Sequence, residues 1–134
     1  MYSKPRNRPD NGSTNDKGSV GAFGESLAVK ALEENGYKIL ELNHRSKLGE
    51  IDIIAKEKGV LAFVEVKARR TDSFGHPKLA VTPRKQRKIS MVALEYLKNT
   101  GQMDNNARFD VVAVRLVSGQ SEVEIIRNAF DLAY

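Results

Sequence analysis

The chain of 134 residues contains no cysteine, which removes disulfides, thiolate nucleophiles and every cysteine-based zinc or iron–sulfur site. Histidine is scarce as well, and His44 and His76 are too few for a histidine-built metal centre. Any metal must then be held mainly by carboxylate and carbonyl oxygen, which suits hard cations such as Mg²⁺ or Mn²⁺. No apolar run approaches the roughly 18 to 20 residues that span a bilayer, so no membrane span is expected. The opening Met1-Tyr2-Ser3-Lys4-Pro5 leads into polar sequence without the apolar core of a secretory signal, and the expected compartment is the cytoplasm. Gly18, Gly21 and Gly24 lack the spacing, the lysine and the preceding strand of a phosphate loop, and serine and histidine form no local triad motif. There is no internal repeat.

What is present fits one soluble domain: 40% hydrophobic residues, 29% charged residues and a net charge of +5 that points towards a polyanionic partner. Residues 1–19 are rich in Pro, Asn, Gly, Ser and charge, and read as a disordered tail whose Lys4, Arg6 and Arg8 are candidate contacts to a nucleic-acid backbone. Residues 20–134 read as the folded domain. A helix is predicted from Val20 to Asn35 with Gly36 as its stop, then a strand over Tyr37–Leu42 and a loop through His44, Arg45, Ser46 and Lys47 to Gly49. Strands over Glu50–Glu57 and Val60–Ala68 flank Lys58-Gly59, a hairpin signal. After a basic loop from Arg69 to Val81, Thr82-Pro83 reads as the N-cap and first residue of a helix to Asn99. A strand over Arg108–Val117 and a short edge strand over Glu122–Ile126 complete the order. A meander followed by a crossover helix to a parallel strand predicts a mixed sheet in an α/β sandwich.

The strand Val60–Ala68 is apolar on both faces, as in a strand covered from both sides, yet it carries Glu65 and Lys67 near its end. Alternation points both the same way. Asp52 likewise interrupts the apolar run Ile51–Ala55. If Lys58-Gly59 is a two-residue turn, Glu57 pairs with Val60 and Asp52 falls opposite Glu65. Like charges so placed repel, and a divalent cation between them would relieve the repulsion while Lys67 supplies a positive charge on the same face. A structural salt bridge among the three would leave one carboxylate in excess. Glu25 shares a helix face with Ala28, Val29 and Leu32, which turns a further carboxylate towards the sheet. Asp110, inside an apolar strand, reads as a satisfied end-of-strand acid and not as a ligand.

Arg69, Arg70, Lys78, Arg84, Lys85, Arg87 and Lys88 are opposed only by Asp72. Four of them occupy the first turns of the second helix, where cations oppose the helix dipole, and a phosphate backbone would offset that conflict. Lys85 and Gln86 are aimed along the helix's inner side; Arg84, Arg87 and Lys88 face outward, where an ordinary solvated surface is the competing reading. Arg45, in the loop before Gly49, is placed with the nucleic-acid contacts.

These segments together, Gly21-Ala22-Phe23-Gly24-Glu25, Gly49-Glu50-Ile51-Asp52-Ile53-Ile54-Ala55, Phe63-Val64-Glu65-Val66-Lys67-Ala68-Arg69, Val81-Thr82-Pro83-Arg84-Lys85-Gln86 and Arg108-Phe109-Asp110-Val111-Val112, resemble the YraN family. That family resembles archaeal Holliday-junction resolvases and, more broadly, the PD-(D/E)xK nucleases. The resemblance implies a three-layer restriction-endonuclease-like fold with an αβββαβ core, and Mg²⁺-dependent phosphodiester hydrolysis. It places the aspartate and E-x-K of such nucleases on Asp52, Glu65 and Lys67, the helical glutamate on Glu25, and an extra metal ligand on the Val66 carbonyl. Ile51 stands where the motif's name has proline. A homodimer acting on branched DNA follows by analogy. The competing expectations are a non-catalytic nucleic-acid-binding protein and an RNA-processing nuclease, since nothing in the sequence separates RNA from DNA.

Overall fold

The computed structural model describes residues 16–70 and 81–133; the tail before Asp16 and the stretch 71–80, with Lys78, lie outside the described residues. In chain order come α1 (Asp16–Glu34), β1 (Lys38–Ser46), β2 (Gly49–Glu57), β3 (Val60–Arg69), α2 (Pro83–Asn99), β4 (Ala107–Val117) and β5 (Gln120–Phe130). The strands form one sheet in that same order. β1–β2, β2–β3 and β4–β5 are antiparallel, whereas β3 and β4, joined through α2, are parallel. This is the predicted mixed sheet.

Each helix buries one stripe against one face, which makes three layers. On one side Ala28, Val29 and Leu32 of α1 pack on Ile53, Ala55, Ala62, Val64, Val112 and Val114. On the other, Ile89, Val92, Ala93 and Leu97 of α2 pack on Ile51, Ile54, Leu61, Phe63, Phe109 and Val111. The central strands therefore need apolar residues at every position, and β3 reads as a continuous run for that reason.

The punctuation falls where the residue chemistry puts it. Lys58 (φ 50°) and Gly59 (φ 81°) make the two-residue turn with both φ positive, so Glu57 pairs with Val60. Thr82 caps α2, its hydroxyl accepting from the Lys85 amide at 3.2 Å, and Pro83 follows at the first helical position. Three elements outrun the prediction. α1 begins at Asp16 instead of Val20, because the polar, glycine-bearing start shows no apolar period. β1 continues through the expected loop to Ser46, so His44 and Arg45 are strand residues. It is an edge strand and leaves alternate polar side chains in water. β5 spans Gln120–Phe130 where only Glu122–Ile126 was expected, again as a polar edge strand.

α1 approaches β3 most closely at Gly24, where an added Cβ would lie 2.7 Å from the Ala68 Cβ. Ala68 has no rotatable atom to withdraw. Gly24→Ala should cost up to about 2 kcal/mol, since a contact this short with an atom that cannot withdraw lies in the upper part of the overpacking range of about 1–3 kcal/mol, against a gain in helix propensity of about 1 kcal/mol. In an Ala68→Gly background the sign should reverse, because only the propensity gain remains. Urea unfolding of the four proteins measures both, and a Gly24→Ala chain as stable as the parent would contradict the close approach.

Candidate active site

Asp52 sits where the sheet opens. On one side β1 pairs Leu42 with Ile53 and His44 with Ile51, passing over Asn43 and Asp52, and Asn43 has φ 52°. On the other side the β2–β3 ladder ends at Ile53–Val64. Ile51 belongs to the α2 cluster and Ile53 to the α1 cluster, so the in–out alternation breaks at Asp52. The expected register is therefore present, but Asp52 and Glu65 do not form a ladder pair. Instead, an Asp52 carboxylate oxygen accepts the Val66 N–H at 2.8 Å, standing in for a backbone carbonyl. The two carboxyls are close enough to share a hydrogen bond.

Glu65 is only 6% exposed. Burial above all, then the charge of Asp52, pushes its carboxyl up to about 7 from the ordinary 4.5, against the opposing pull of Lys85 and Lys67. Burial also raises Asp52, offset by the Val66 amide and Lys85, with Glu50 adding to the rise. Lys67 Nζ lies 3.6 Å and Lys85 Nζ 3.9 Å from the same Glu65 oxygen, so two ammonium groups flank one acid. α1 contributes Glu25, half-buried, whose carboxylate accepts the Asn43 side-chain amide at 3.0 Å. Burial raises Glu25, the Asn43 bond lowers it, and the charges of Asp52 and Glu50 raise it again.

The slot between β2 and β3 thus draws an acid from one helix and a lysine from the other. Glu25, Asp52, Glu65 and Lys67 are brought to one place, as the spacing predicts. The nucleic-acid candidates divide. Lys85 turns inward onto Glu65, while the Gln86 side-chain amide donates to the Val81 carbonyl at 2.9 Å. Arg84, Arg87 and Lys88 are exposed on the outer face of α2, and Arg70 is exposed beyond the end of β3. Arg69 is half-buried in the β3–β4 ladder opposite Arg115. Arg45 reaches Glu50 at 3.7 Å with its side chain 75% exposed, a surface ion pair worth little to stability. Asn43 and Glu50 belong to the site and were not singled out in the sequence. The signal for Asn43 was its residue type, since asparagine tolerates a positive φ that most side chains avoid.

Among the described residues no group of three or more His, Asp or Glu side chains is gathered as a metal cage. The donor set nevertheless suits a hard cation: buried Glu65 and half-buried Asp52 are held together against their mutual repulsion, with Glu25 and Glu50 near them and Lys67 and Lys85 flanking Glu65. Mg²⁺ keeps several waters and takes one or two carboxylates from a protein, so a pair is sufficient.

Asp110, fully buried on β4 opposite Val64, is satisfied as expected. It accepts from the Tyr37 hydroxyl at 2.7 Å, from Arg108 Nε at 2.9 Å and from the Asn128 amide at 2.9 Å. Arg108 also reaches Glu57, which Arg127 grips with both Nε and Nη2 at 2.9 and 2.7 Å. This cluster ties Tyr37 and the end of β2 to β4 and β5.

The fold and the slot define a class: a mixed-sheet α/β protein with a close, largely inward-facing acid pair and a lysine on its central strands. The family model described as "Uncharacterised protein family UPF0102" matches residues 24–114, which hold the whole slot. A UPF0102 protein of Desulfosudis oleivorans is 55% identical over 117 residues, covering 87% of this chain and 94% of that one. One of Syntrophus aciditrophicus is 52% identical, covering 86% and 91%, and one of Geobacter sulfurreducens is 50% identical with the same shares. The chain belongs to the UPF0102 family, the YraN-like family that its motifs resemble. A solved structure of SSO0001 aligns with 87% of this chain and 54% of that one at 15% identity and a TM-score of 0.37, a likeness too low to carry an argument. No helix among the described residues is long and apolar enough to cross a membrane.

Proposed function

We propose that the chain is a divalent-metal-dependent endonuclease that hydrolyses phosphodiester bonds in structured or branched DNA, in recombination or repair. The observation that carries the reading is the pair of half-buried Asp52 and buried Glu65, set in a gap of the sheet with Lys67 on Glu65. Two like charges there cost stability unless something cationic joins them. Asp52, Glu65 and the Val66 carbonyl would hold Mg²⁺ or Mn²⁺, which when bound supplies Lewis acidity and an activated water. Lys67 orients the attacking water or steadies the charge that develops on the phosphoryl oxygens. Glu25 adds a carboxylate at the mouth. Lys85, nearer the acids than the solvent-facing basic residues, neutralises the pair until phosphate competes for it. Arg84, Arg87 and Lys88 present the outward charge that tracks a backbone, and a homodimer would place two slots for the paired cuts that a symmetric junction needs.

A cleavage panel of single-stranded, duplex, flap and four-way DNA and of RNA, with Mg²⁺ or Mn²⁺, tests the proposal. Cutting of branched DNA that stops in EDTA is the expected result. Tight binding with no cutting in either metal would favour the non-catalytic reading, and cutting confined to RNA would move the substrate. Replacing Arg84, Arg87 and Lys88 together with alanine should weaken binding across sequences and flatten the plot of log affinity against log salt by roughly 0.9 per lost contact on duplex DNA. An unchanged slope would place the binding surface elsewhere.

A further inference from the structure

Asn43 occupies the one step of β1 that faces Asp52, and its backbone there is left-handed with φ 52°. A second asparagine in the sheet shows what such a position needs by itself. Asn128 in β5 has φ 54°, and there the backbone N–H is satisfied, by Asp110. Asn43 does something its positive φ does not require: its side-chain amide crosses to α1 and donates to Glu25 at 3.0 Å. Asn43 itself is exposed, so the bond adds little to stability. What the bond does is oppose a repulsion, because the Glu25 carboxylate faces the charges of Asp52 and Glu50. Without a donor on its open side, that carboxylate would swing away from them into water.

We propose that Asn43 is a positioning residue that holds the Glu25 carboxylate at the mouth of the Asp52–Glu65 slot, ready to join the binding of a divalent cation there. The left-handed backbone and the amide are two halves of one device. The left-handed backbone removes Asn43 from the ladder opposite Asp52, and the freed side chain reaches the helix. Outer partners of this kind orient ligands whose own charges would scatter them, and their loss commonly costs roughly 10- to 100-fold in metal affinity or activity.

The inference rests on the metal-site reading above, and the test separates the two. Glycine accepts a positive φ freely, so Asn43→Gly keeps the left-handed backbone and removes only the amide. Calorimetric titration of the full chain with Mn²⁺, without nucleic acid, is run on the parent, Asn43→Gly, Glu25→Gln and the double variant. Asn43→Gly should weaken Mn²⁺ binding roughly tenfold, Glu25→Gln by a similar factor, and the double variant no more than Glu25→Gln alone. In cleavage, kcat should fall while the KM for nucleic acid stays put. Parent-like Mn²⁺ affinity in Asn43→Gly, or losses that multiply in the double variant, would overturn the positioning role and leave the metal site standing. A parent that binds no Mn²⁺ would overturn the metal site and this inference with it.

Discussion

At pH 8 Glu65→Gln should melt at a higher temperature than the parent protein without added metal, and with Mn²⁺ supplied it should cleave roughly 10³-fold or more slowly than the parent. Glu65 holds its proton up to about 7 in the folded chain against the ordinary 4.5, so folding binds a proton that the unfolded chain releases earlier. The sign follows. Below about 4.5 the group is protonated in both states and costs nothing; as pH rises from there through about 7 stability falls, and above 7 the full cost applies. At 1.36 kcal/mol per tenfold change in proton affinity the cost is about 3 kcal/mol. Glutamine keeps the shape, carries no charge and still donates to Asp52. The parent should also gain stability from Mn²⁺ at pH 8, by about 2.7 kcal/mol at a hundredfold excess over its Kd, and the variant should gain far less. Losing a ligand for a cation that stabilises the transition state by several kcal/mol lowers the rate by roughly 10³-fold or more. Thermal melts at pH 5 and pH 8 with cleavage assays decide the matter. If Glu65→Gln lowers the melting point at pH 8, Glu65 is the anion of a structural salt bridge with Lys67 and Lys85, and the nuclease reading loses its support.

The largest loss of stability should come from the cluster around Asp110. Arg108 has a side chain only 18% exposed and links Asp110, Glu57 and the Tyr37 hydroxyl. Arg108→Ala leaves Asp110 buried with its charge uncompensated, and breaking such a pair costs about 3–5 kcal/mol. Typical domains have only about 5–15 kcal/mol in total. Arg127→Ala removes the half-exposed arm, leaves Arg108 in place and should cost under about 1 kcal/mol. Urea midpoints of the two variants compare them directly, and equal losses would mean that Arg108 is not the keystone. The acid limb gives a second reading. Arg127 and Arg108 hold the Glu57 carboxyl down at about 2, so its contribution is whole above the ordinary 4.5 and is lost as pH falls towards 2. In Arg108→Ala that decline should be shallower.

Much of this architecture is legible in short stretches of sequence, because the deciding physics is local. Lys58-Gly59 can turn in few ways, so the β2–β3 register, and with it the nearness of Asp52 to Glu65, could be read directly. Thr82-Pro83 and Gly36 mark helix ends for the same reason. Ser118-Gly119 carries the same kind of signal and forms the β4–β5 turn with φ 52° and 78°; the short apolar run after it concealed the length of β5. What stayed hidden depends on distant partners. Arg108 meets Tyr37 and Glu57 across the folded sheet, and no spacing rule joins them. Gly24 was weighed as phosphate-loop material, whereas its role is to let α1 rest on Ala68. Helical phase aims Lys85 inward, but only the position of Glu65 under α2 shows what it meets.

The bond from the Val66 amide to Asp52 has a consequence of its own. Where a sheet normally ties strand to strand through peptide groups of fixed dipole, one rung here ends on a group whose charge changes. The backbone of β3 is thereby wired to the occupancy of the slot. Protonating Asp52, or drawing its electrons towards a cation, weakens the acceptor that the Val66 N–H sees, while the neighbouring rungs on β4 stay as they are. A single amide in the middle of the molecule thus serves as a gauge, its proton resonance moving with whatever enters the gap.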